Sequence, residues 1–494
     1  MKKKDFYIIP VLMLLLSCTP SPRNVILKDM LPLIYPDYTD VAIPYNVAPM
    51  NFLLRNGADA LEVVIRHHCE GSIESGSEQD SLVIRSRGNK ACFPLSDWKS
   101  FLKREKGSIV NVQVTARVDG MWIRYRAFHW TIVSDAIDPY LSYRLIEPGY
   151  EVWNNIQLVQ RNIETFDESV ISDYHLVNNA CMNCHIYGNQ NPRLSLMHIR
   201  GKGGGTLLNR NGQLRKLSIK NKLTISAGVY AAFHPQGRYG VFSTNQIIPE
   251  FHATGSKRLE VYDAKSDVIV ADFDKDRILI SPLLSDSTAL ETFPVFSAQG
   301  KWIYFCTVKA LKLPENLKQL KYSLCRIAFD ASTGQFGTKV DTLYNARIKG
   351  KSVCEPKTSP DGRWILYTVA DYGTFPIWHR ESDLQLMDLK TSAIDSLPLV
   401  NSSLSDTYHS WSSNSRWFVF ASKRDDGIYG KPYFCYIDKE GKTYKPFVLP
   451  QKDPSSYDQT LKSFNIPELA TGMLPFTATD VERWFHDTPI ENFK

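Results

Sequence analysis

TSPDGRWILYT, at residues 358–368, is one of four segments that share a pattern and decide the fold. Each segment has a turn, a basic residue, an aromatic residue and an apolar strand, and a second apolar strand ending in aspartate follows it. The other three are FHPQGRYGVFS (233–243), FSAQGKWIYFC (296–306) and WSSNSRWFVFA (411–421). A repeated strand–turn–strand unit of this size predicts the blades of a β-propeller, because one such sheet cannot bury its faces alone.

These repeats resemble those of TolB-type propellers, above all at SPDGRWILYT, and the resemblance covers residues 225–450. Four blades do not close a ring comfortably at this spacing. Further strand-like segments at 140–180 and 205–222 raise the expected number to six and place the propeller at 138–450. The tail at 451–494 is punctuated by proline, and we expect it to return and complete a blade.

Residues 23–137 predict a separate all-β domain. Apolar residues alternate with polar ones from Val110 to Val118, which is the period of a half-buried strand. Asp119 and Gly120 then supply a two-residue hairpin turn, since both tolerate positive φ. The return strand changes phase before Phe128, which indicates a β-bulge. Several short strands in this length favour a sandwich of immunoglobulin-like type.

The first seventeen residues predict an export signal. Three lysines precede an apolar run from Phe6 to Leu16, which is too short to span a bilayer as a helix. The run ends in Leu-Ser-Cys18, which resembles the lipobox of bacterial lipoproteins. That resemblance implies cleavage before Cys18 and acylation of this cysteine, with residues 18–22 as a tether. An ordinary secretory signal with a chance cysteine is the alternative.

Composition and charge exclude several classes of protein. The 494 residues are 43% hydrophobic and 22% charged. The chain can therefore form hydrophobic cores, and it is neither a disordered protein nor a polytopic membrane protein. A formal net charge of +6, with no basic stripe, does not predict nucleic-acid binding. The glycine-rich segment 201–206 lacks the full Walker spacing, and an exported chain meets no cytosolic nucleotide, so we expect no nucleotide partner.

The motif that carries chemistry is CMNCH at residues 181–185. Cys181 and Cys184 have the spacing that attaches a c-type haem through two thioethers, and His185 then becomes the proximal iron ligand. A thioredoxin-like pair would need a βα context, and a zinc ribbon would need a second Cys-x-x-Cys. Chance remains the main alternative, because a five-residue pattern is short. The sequence therefore predicts one covalent haem c, held on a loop at about residues 175–206.

A sixth iron ligand must approach the opposite haem face. His198 and Met197 lie thirteen and twelve residues beyond His185, which is enough chain to pass around the haem edge. We favour His198, which would give a bis-histidine haem of low potential, over Met197, which would raise the potential. His175 is a weaker candidate. Each of these side chains is also compatible with a role in packing alone.

The remaining cysteines have structural interpretations. Cys69 and Cys92 lie in one domain and either pair or remain buried thiols. Cys306 and Cys325 fall on neighbouring strands of one blade, which makes them the best disulfide candidates, with two buried thiols as the alternative. Cys354 and Cys435 have no assignment.

Taken together, these features resemble a family of exported bacterial propeller lipoproteins with one haem motif, labelled cytochrome c-related or cytochrome c biogenesis proteins. The resemblance implies haem at Cys181, Cys184 and His185 and supplies no established activity. Two functions follow as hypotheses. The first is haem-mediated electron transfer to a redox partner protein. The second is a TolB-like binding module for an envelope protein or a glycan, with the haem structural or absent.

We do not expect an enzyme, because the sequence has no nucleophile elbow, no HExxH motif and no convincing carboxylate pair. A haem peroxidase-type activity is a remote option, since it needs an open iron position. The expected location is the periplasmic side of a Gram-negative envelope, at the outer membrane, with the lipid anchor as the sole membrane contact.

Overall fold

The computed structural model describes residues 21–68, 81–147, 155–251 and 259–494. Within these ranges almost every element is a β-strand, so the predicted all-β fold class is confirmed. The helices that they contain are short: α1 (Leu95–Arg104), α2 (Ala346–Lys349), α3 (Ser456–Gln459) and α4 (Ala478–Asp487). None of them is long and apolar enough to cross a membrane.

The N-terminal region builds one large sheet and one small sheet. The small sheet has the strand order β2-β4-β7, and the large sheet contains β1, β9, β8, β10 and β3 in that order, with β5 paired to β8 and β6 paired to β5. The strands are β1 (Ile26–Lys28), β2 (Ile34–Tyr35), β3 (Val41–Pro44), β4 (Phe52–Leu54), β5 (Ala60–His67), β6 (Leu82–Arg87), β7 (Lys90–Ala91), β8 (Ile109–Val118), β9 (Met121–Tyr125) and β10 (Phe128–Val133).

The predicted hairpin at Asp119–Gly120 is confirmed. Both residues have positive φ, at 50° and 80°, and Val118 pairs with Met121 across the turn. The change of phase also has a structural counterpart, because β9 and β10 both pair with β8 and are separated by a break at residues 126–127.

Two features of this region differ from an immunoglobulin-like sandwich. The pairs β1–β9 and β3–β10 are parallel, and helix α1 covers the large sheet. Trp98 of α1 packs edge-on against Trp130 of β10, with ring centroids 5.6 Å apart, and its Nε1 donates to the carbonyl of Val47. The helix has the spacing of an amphipathic helix, since Trp98, Phe101 and Leu102 are buried along one face.

The described residues after Val133 form six further sheets, which we call blades 1 to 6; five have four strands and one has five. Blade 1 contains β11 (Tyr140–Ile146), β12 (Ile156–Asn162), β13 (Glu168–Asp173) and β34 (Ser463–Ala470); blade 2 contains β14 (Met182–Gly188), β15 (Asn191–Ile199), β16 (Gly205–Arg210) and β17 (Gln213–Ser218), to which β35 (Glu491–Asn492) adds in parallel; blade 3 contains β18 (Val229–Phe233), β19 (Tyr239–Phe251), β20 (Leu259–Asp272) and β21 (Arg277–Leu279).

The last three blades have the same plan. Blade 4 contains β22 (Ala289–Phe296), β23 (Trp302–Lys309), β24 (Ser323–Asp330) and β25 (Gln335–Tyr344); blade 5 contains β26 (Ser352–Thr358), β27 (Trp364–Ala370), β28 (Asp383–Asp388) and β29 (Ile394–Asp395); blade 6 contains β30 (Asp406–Trp411), β31 (Trp417–Ser422), β32 (Lys431–Tyr436) and β33 (Phe447–Val448). The four repeat aromatics each begin the second strand of a blade: Tyr239, Trp302, Trp364 and Trp417.

The inner strands contact one another in a closed order, β34, β14, β18, β22, β26, β30 and β34 again. This cyclic order is that of a β-propeller, and it is completed by the C-terminal segment, because β34 pairs antiparallel with β11. Helix α4 then packs between blades 1 and 2 through Val481, Trp484 and Phe485. The N-terminal region shares a continuous apolar core with blades 1, 5 and 6.

Candidate functional site

The inner strands surround a central cavity of about 440 Å³, which is within the size range of small-molecule sites. Residues from all six blades line this cavity. A propeller therefore brings together side chains that are far apart in the sequence, and the functional groups of this chain must be sought on its inner strands.

Every inner strand has a β-bulge at an equivalent register position, which in the four repeat blades lies three residues before the start of the repeat segment. In five blades the residue at this position has φ near +50° and lines the cavity: Tyr230, Phe293, Glu355, Tyr408 and Ile466. Bulky residues are rarely found with positive φ, and such strain concentrates at functional sites. The repeated strain marks the central cavity as the candidate site.

The cavity has an apolar side and a charged side. Blades 3 and 4 contribute mainly apolar residues, among them Ile247, Val261 and Phe293. Blades 5, 6 and 1 contribute the charged and polar groups Glu355, Lys357, His409, Lys423, Glu468 and Arg144. A ligand that fits both sides must itself be amphipathic.

The CMNCH motif lies on the inner strand of blade 2. Cys181 and His185 line the central cavity, and the register shift of β14 falls between Asn183 and His185. Cys184 thus occupies the bulge position in the backbone, while its side chain lies outside the described residues. The motif belongs to a β-strand, where the sequence placed it in a loop.

His185 is buried, and its chemistry fits a proximal haem ligand. It forms a hydrogen bond with the backbone of Ser142 in blade 1, and its Nε2 has no hydrogen-bond partner. Burial lowers the pKa of His185 to about 3, so the imidazole is neutral, the form in which it ligates iron. A ligating histidine commonly bonds its other ring nitrogen to a carbonyl oxygen.

The structure does not bring the expected sixth ligands to the cavity wall. His198 is buried on β15, where its Nδ1 lies 3.1 Å from the hydroxyl of Thr206. Met197 packs in the apolar core between blades 1 and 2. His175 lies in the 3₁₀ turn Tyr174–Val177, and its ring contacts that of Tyr174. All three are therefore in packing or hydrogen-bonding positions, and none of them lines the central cavity.

Cys306 and Cys325 are buried free thiols in the structure, which is the alternative that the sequence left open to a disulfide. Phe305, not Cys306, is the partner of Cys325 in the register, so the two cysteines face opposite sides of blade 4. They accordingly belong to different apolar clusters. Cys92 is exposed and carries a free thiol, whereas its suggested partner Cys69 and the predicted lipidation site Cys18 lie outside the described residues.

Sequence reasoning missed Glu355, which is the one acidic residue among the five bulge positions with positive φ. Its Oε2 accepts hydrogen bonds from Thr407 Oγ1 at 2.8 Å, Tyr408 N at 2.9 Å and Thr368 Oγ1 at 3.5 Å. Burial raises the pKa of Glu355 to about 7. Alignment of the repeats three residues upstream would have revealed it, because the aligned residues in blades 3, 4 and 6 are aromatic.

Groups of three or more histidine, cysteine or acidic side chains with the geometry of a metal site do not occur among the described residues.

No protein-family model matches the chain, and no curated protein matches it either. Solved structures give remote likenesses. A puromycin hydrolase is 12% identical, with 63% of this chain and 45% of that chain covered and a TM-score of 0.36. A hypothetical selenium-binding protein from Sulfolobus tokodaii is 10% identical, with 84% and 94% covered and a TM-score of 0.41.

An oligogalacturonate lyase in complex with manganese is 11% identical, with 63% of this chain and 74% of that chain covered and a TM-score of 0.34. This chain spans less than half the length of the puromycin hydrolase that it resembles. These likenesses are too weak to assign a function, and the propeller is established by the strand order of the chain itself.

Proposed function

We propose that this protein is a ligand-binding propeller of the bacterial cell envelope and that its central cavity is the binding site. The observation that carries the proposal is the ring of five bulky residues with φ near +50°, all of which line one cavity. Strain of about 1–3 kcal/mol at each such residue persists only where the surrounding structure holds it.

The cavity itself provides the first test. We expect the exported protein to release a bound small molecule on denaturation, detected by mass spectrometry, and the cavity-filling variant Ala232→Phe to release much less. Ala232 lines the cavity, whereas Ile348 is 79% exposed, so Ile348→Phe is the matched control. Equal yields from Ala232→Phe and the wild type would place the ligand elsewhere.

A covalent haem c is the second candidate, and the unpartnered Nε2 of His185 favours it. Cys181 and Cys184 would attach the haem through thioethers, and His185 would hold the iron. A haem so held supplies a one-electron couple. The chain's own contribution is to keep His185 neutral and oriented, through burial and the hydrogen bond to the backbone of Ser142.

Expression in a host that attaches haem to exported proteins tests this candidate. A c-type optical spectrum and the mass of one haem should be present in the wild type and absent from the Cys181→Ala, Cys184→Ala variant. Cys92→Ala is the control, because Cys92 is an exposed free thiol outside the motif. A haem-free wild type, or a covalent haem retained by the double variant, would exclude attachment at this motif.

Electron transfer and the lipid anchor remain predictions of the sequence. A reversible couple in a redox titration of the loaded protein is the expected sign of an electron carrier. Acylation at Cys18 predicts that labelled palmitate enters the wild type and not Cys18→Ser. An incorporated label in Cys18→Ser would contradict anchoring at this residue.

A further inference from the structure

Lys423 lies directly after strand β31 and lines the central cavity on its charged side. Its Nζ donates a hydrogen bond to the carbonyl oxygen of Ile377 at 2.8 Å and lies 5.2 Å from the ring centroid of Trp378. It forms no ion pair with any carboxylate of the described residues. The carboxylate of Asp426 favours the charged form of Lys423 from beyond ion-pair distance, and burial opposes it. A largely buried ammonium group without a close counter-charge is unfavourable, so an anion in the cavity would reduce this cost.

Three other charged groups of this side, Lys357, Glu468 and Glu355, already have partners in the protein. Lys357 forms an ion pair with Glu468 at 3.1 Å. Glu355 accepts three hydrogen bonds, and burial raises its pKa to about 7, so a large share of this carboxyl is neutral near neutral pH. Neither Glu355 nor Glu468 therefore forms an ion pair with Lys423, whose counter-charge is the more distant carboxylate of Asp426.

Across the cavity, the lining is suited to an apolar body. Strands β19 and β20 continue along the cavity and contribute Ile247, Pro249 and Val261, and blade 4 adds Phe293. An apolar wall with a few well-placed polar groups is typical of sites for small organic ligands. The charged side and the apolar side together therefore indicate the chemical class of the ligand, whereas the cavity volume indicates only its size.

We propose that the central cavity binds an amphipathic organic anion, with its apolar body against blades 3 and 4 and its carboxylate at Lys423. This inference rests on the proposed binding role of the cavity and adds the class of ligand. A charge-assisted hydrogen bond between the ammonium group and the carboxylate would provide the specificity for an anion.

Pyrene-1-butyrate is a suitable probe, and its methyl ester is the matched neutral compound. Binding is measured by fluorescence on the full exported chain, and again on the Cys181→Ala, Cys184→Ala variant so that no covalent cofactor competes. We expect the acid to bind more tightly than the ester. Lys423→Met should raise the Kd of the acid by about tenfold or more, as loss of a charge-assisted hydrogen bond predicts, and leave the ester nearly unchanged.

Lys423→Arg retains the charge and should preserve the preference for the acid. Lys321→Met is the matched control, because Lys321 also donates to a carbonyl oxygen, that of Gly350, and does not line the cavity. Equal binding of acid and ester, or an acid Kd unaffected by Lys423→Met, would overturn the anion assignment and leave the cavity as a binding site. Failure of both probes to bind either protein would instead contradict both the anion assignment and the proposed binding function.

Discussion

His185 and His409 are equivalent residues in two blades, and each bonds to the backbone of the preceding blade. Both follow the bulge position of an inner strand. His185 contacts the backbone of Ser142, and His409 Nε2 lies 2.9 Å from the carbonyl oxygen of Leu366. Ser142 and Leu366 are themselves equivalent in the register of blades 1 and 5. The difference is that His185 keeps Nε2 unpartnered, whereas His409 keeps Nδ1.

Because the two histidines are equivalent, comparing their variants distinguishes iron ligation by His185 from a role in packing. We expect His185→Ala and His409→Ala to lower the free energy of unfolding by similar amounts, about 2 kcal/mol, because each loses buried atoms and one hydrogen bond. The haem spectrum of the loaded protein should change in His185→Ala and remain that of the wild type in His409→Ala. Urea unfolding and optical spectroscopy measure the two effects. An unchanged spectrum in His185→Ala would exclude it as the iron ligand.

Glu355 should make stability depend on pH. Its pKa in the folded protein is about 7, against 4.5 for an ordinary glutamate, so protonation favours the folded state. Glu355 therefore contributes about 3 kcal/mol to the free energy of unfolding below pH 4.5. This contribution falls as the pH rises and is lost once the pH passes 7. Glu355→Gln should therefore lose less stability than the wild type between pH 5 and pH 8 in urea unfolding. Exposed Glu440→Gln is the control and should follow the wild type.

Two glycines with positive φ should respond differently to alanine. Gly350 has φ of 80° and open space around a new Cβ, so Gly350→Ala should cost about 1 kcal/mol from backbone strain alone. Gly300 has φ of 73°, and its Cβ would lie 2.1 Å from His234 Nε2, so Gly300→Ala should cost about 3 kcal/mol. Thermal unfolding measures the difference. Equal costs would mean that the turn of blade 4 adjusts freely.

Trp484 should contribute strongly to ring closure. It is 2% exposed between blades 1 and 2, and its Nε1 donates to the carbonyl of Arg215 at 3.0 Å. Trp484→Ala should lower the free energy of unfolding by about 3–5 kcal/mol, as expected for a buried aromatic residue. Arg483→Ala, on the exposed face of the same helix, should have little effect. A small loss for Trp484→Ala would mean that α4 is dispensable for the ring.

The sequence was sufficient for the propeller, because the repeat motif specifies a local turn and the strand after it. The hairpin at Asp119–Gly120 was predictable for the same reason. Helix α1 is not predicted, although Trp98, Phe101 and Leu102 have helical spacing, because a single helix of ten residues leaves only a short periodic pattern among the alternating strands.

The candidate site was less predictable, because residues of different blades meet only when the ring closes. Cys181 and His185 of the CMNCH motif line the cavity, which the motif alone did not predict. The placement of His198 could not be foreseen, since it depends on the pairing of β15 with β16, which directs its ring to Thr206. Likewise, Cys306 and Cys325 face away from each other because the strand pairing is offset by one residue from the register that would place them opposite each other.

The pairing of β34 with β11 joins residues 326 positions apart in the chain. One example is the hydrogen bond that Ser142 Oγ donates to the carbonyl oxygen of Glu468. During synthesis, the first blade therefore lacks its inner strand until residues 463–470 have left the ribosome. Through that time the backbone edge of β11 is open to incorrect pairing with other strands. The slow step of folding should thus be the last one, and chaperones that protect unpaired strand edges should raise the yield of this protein.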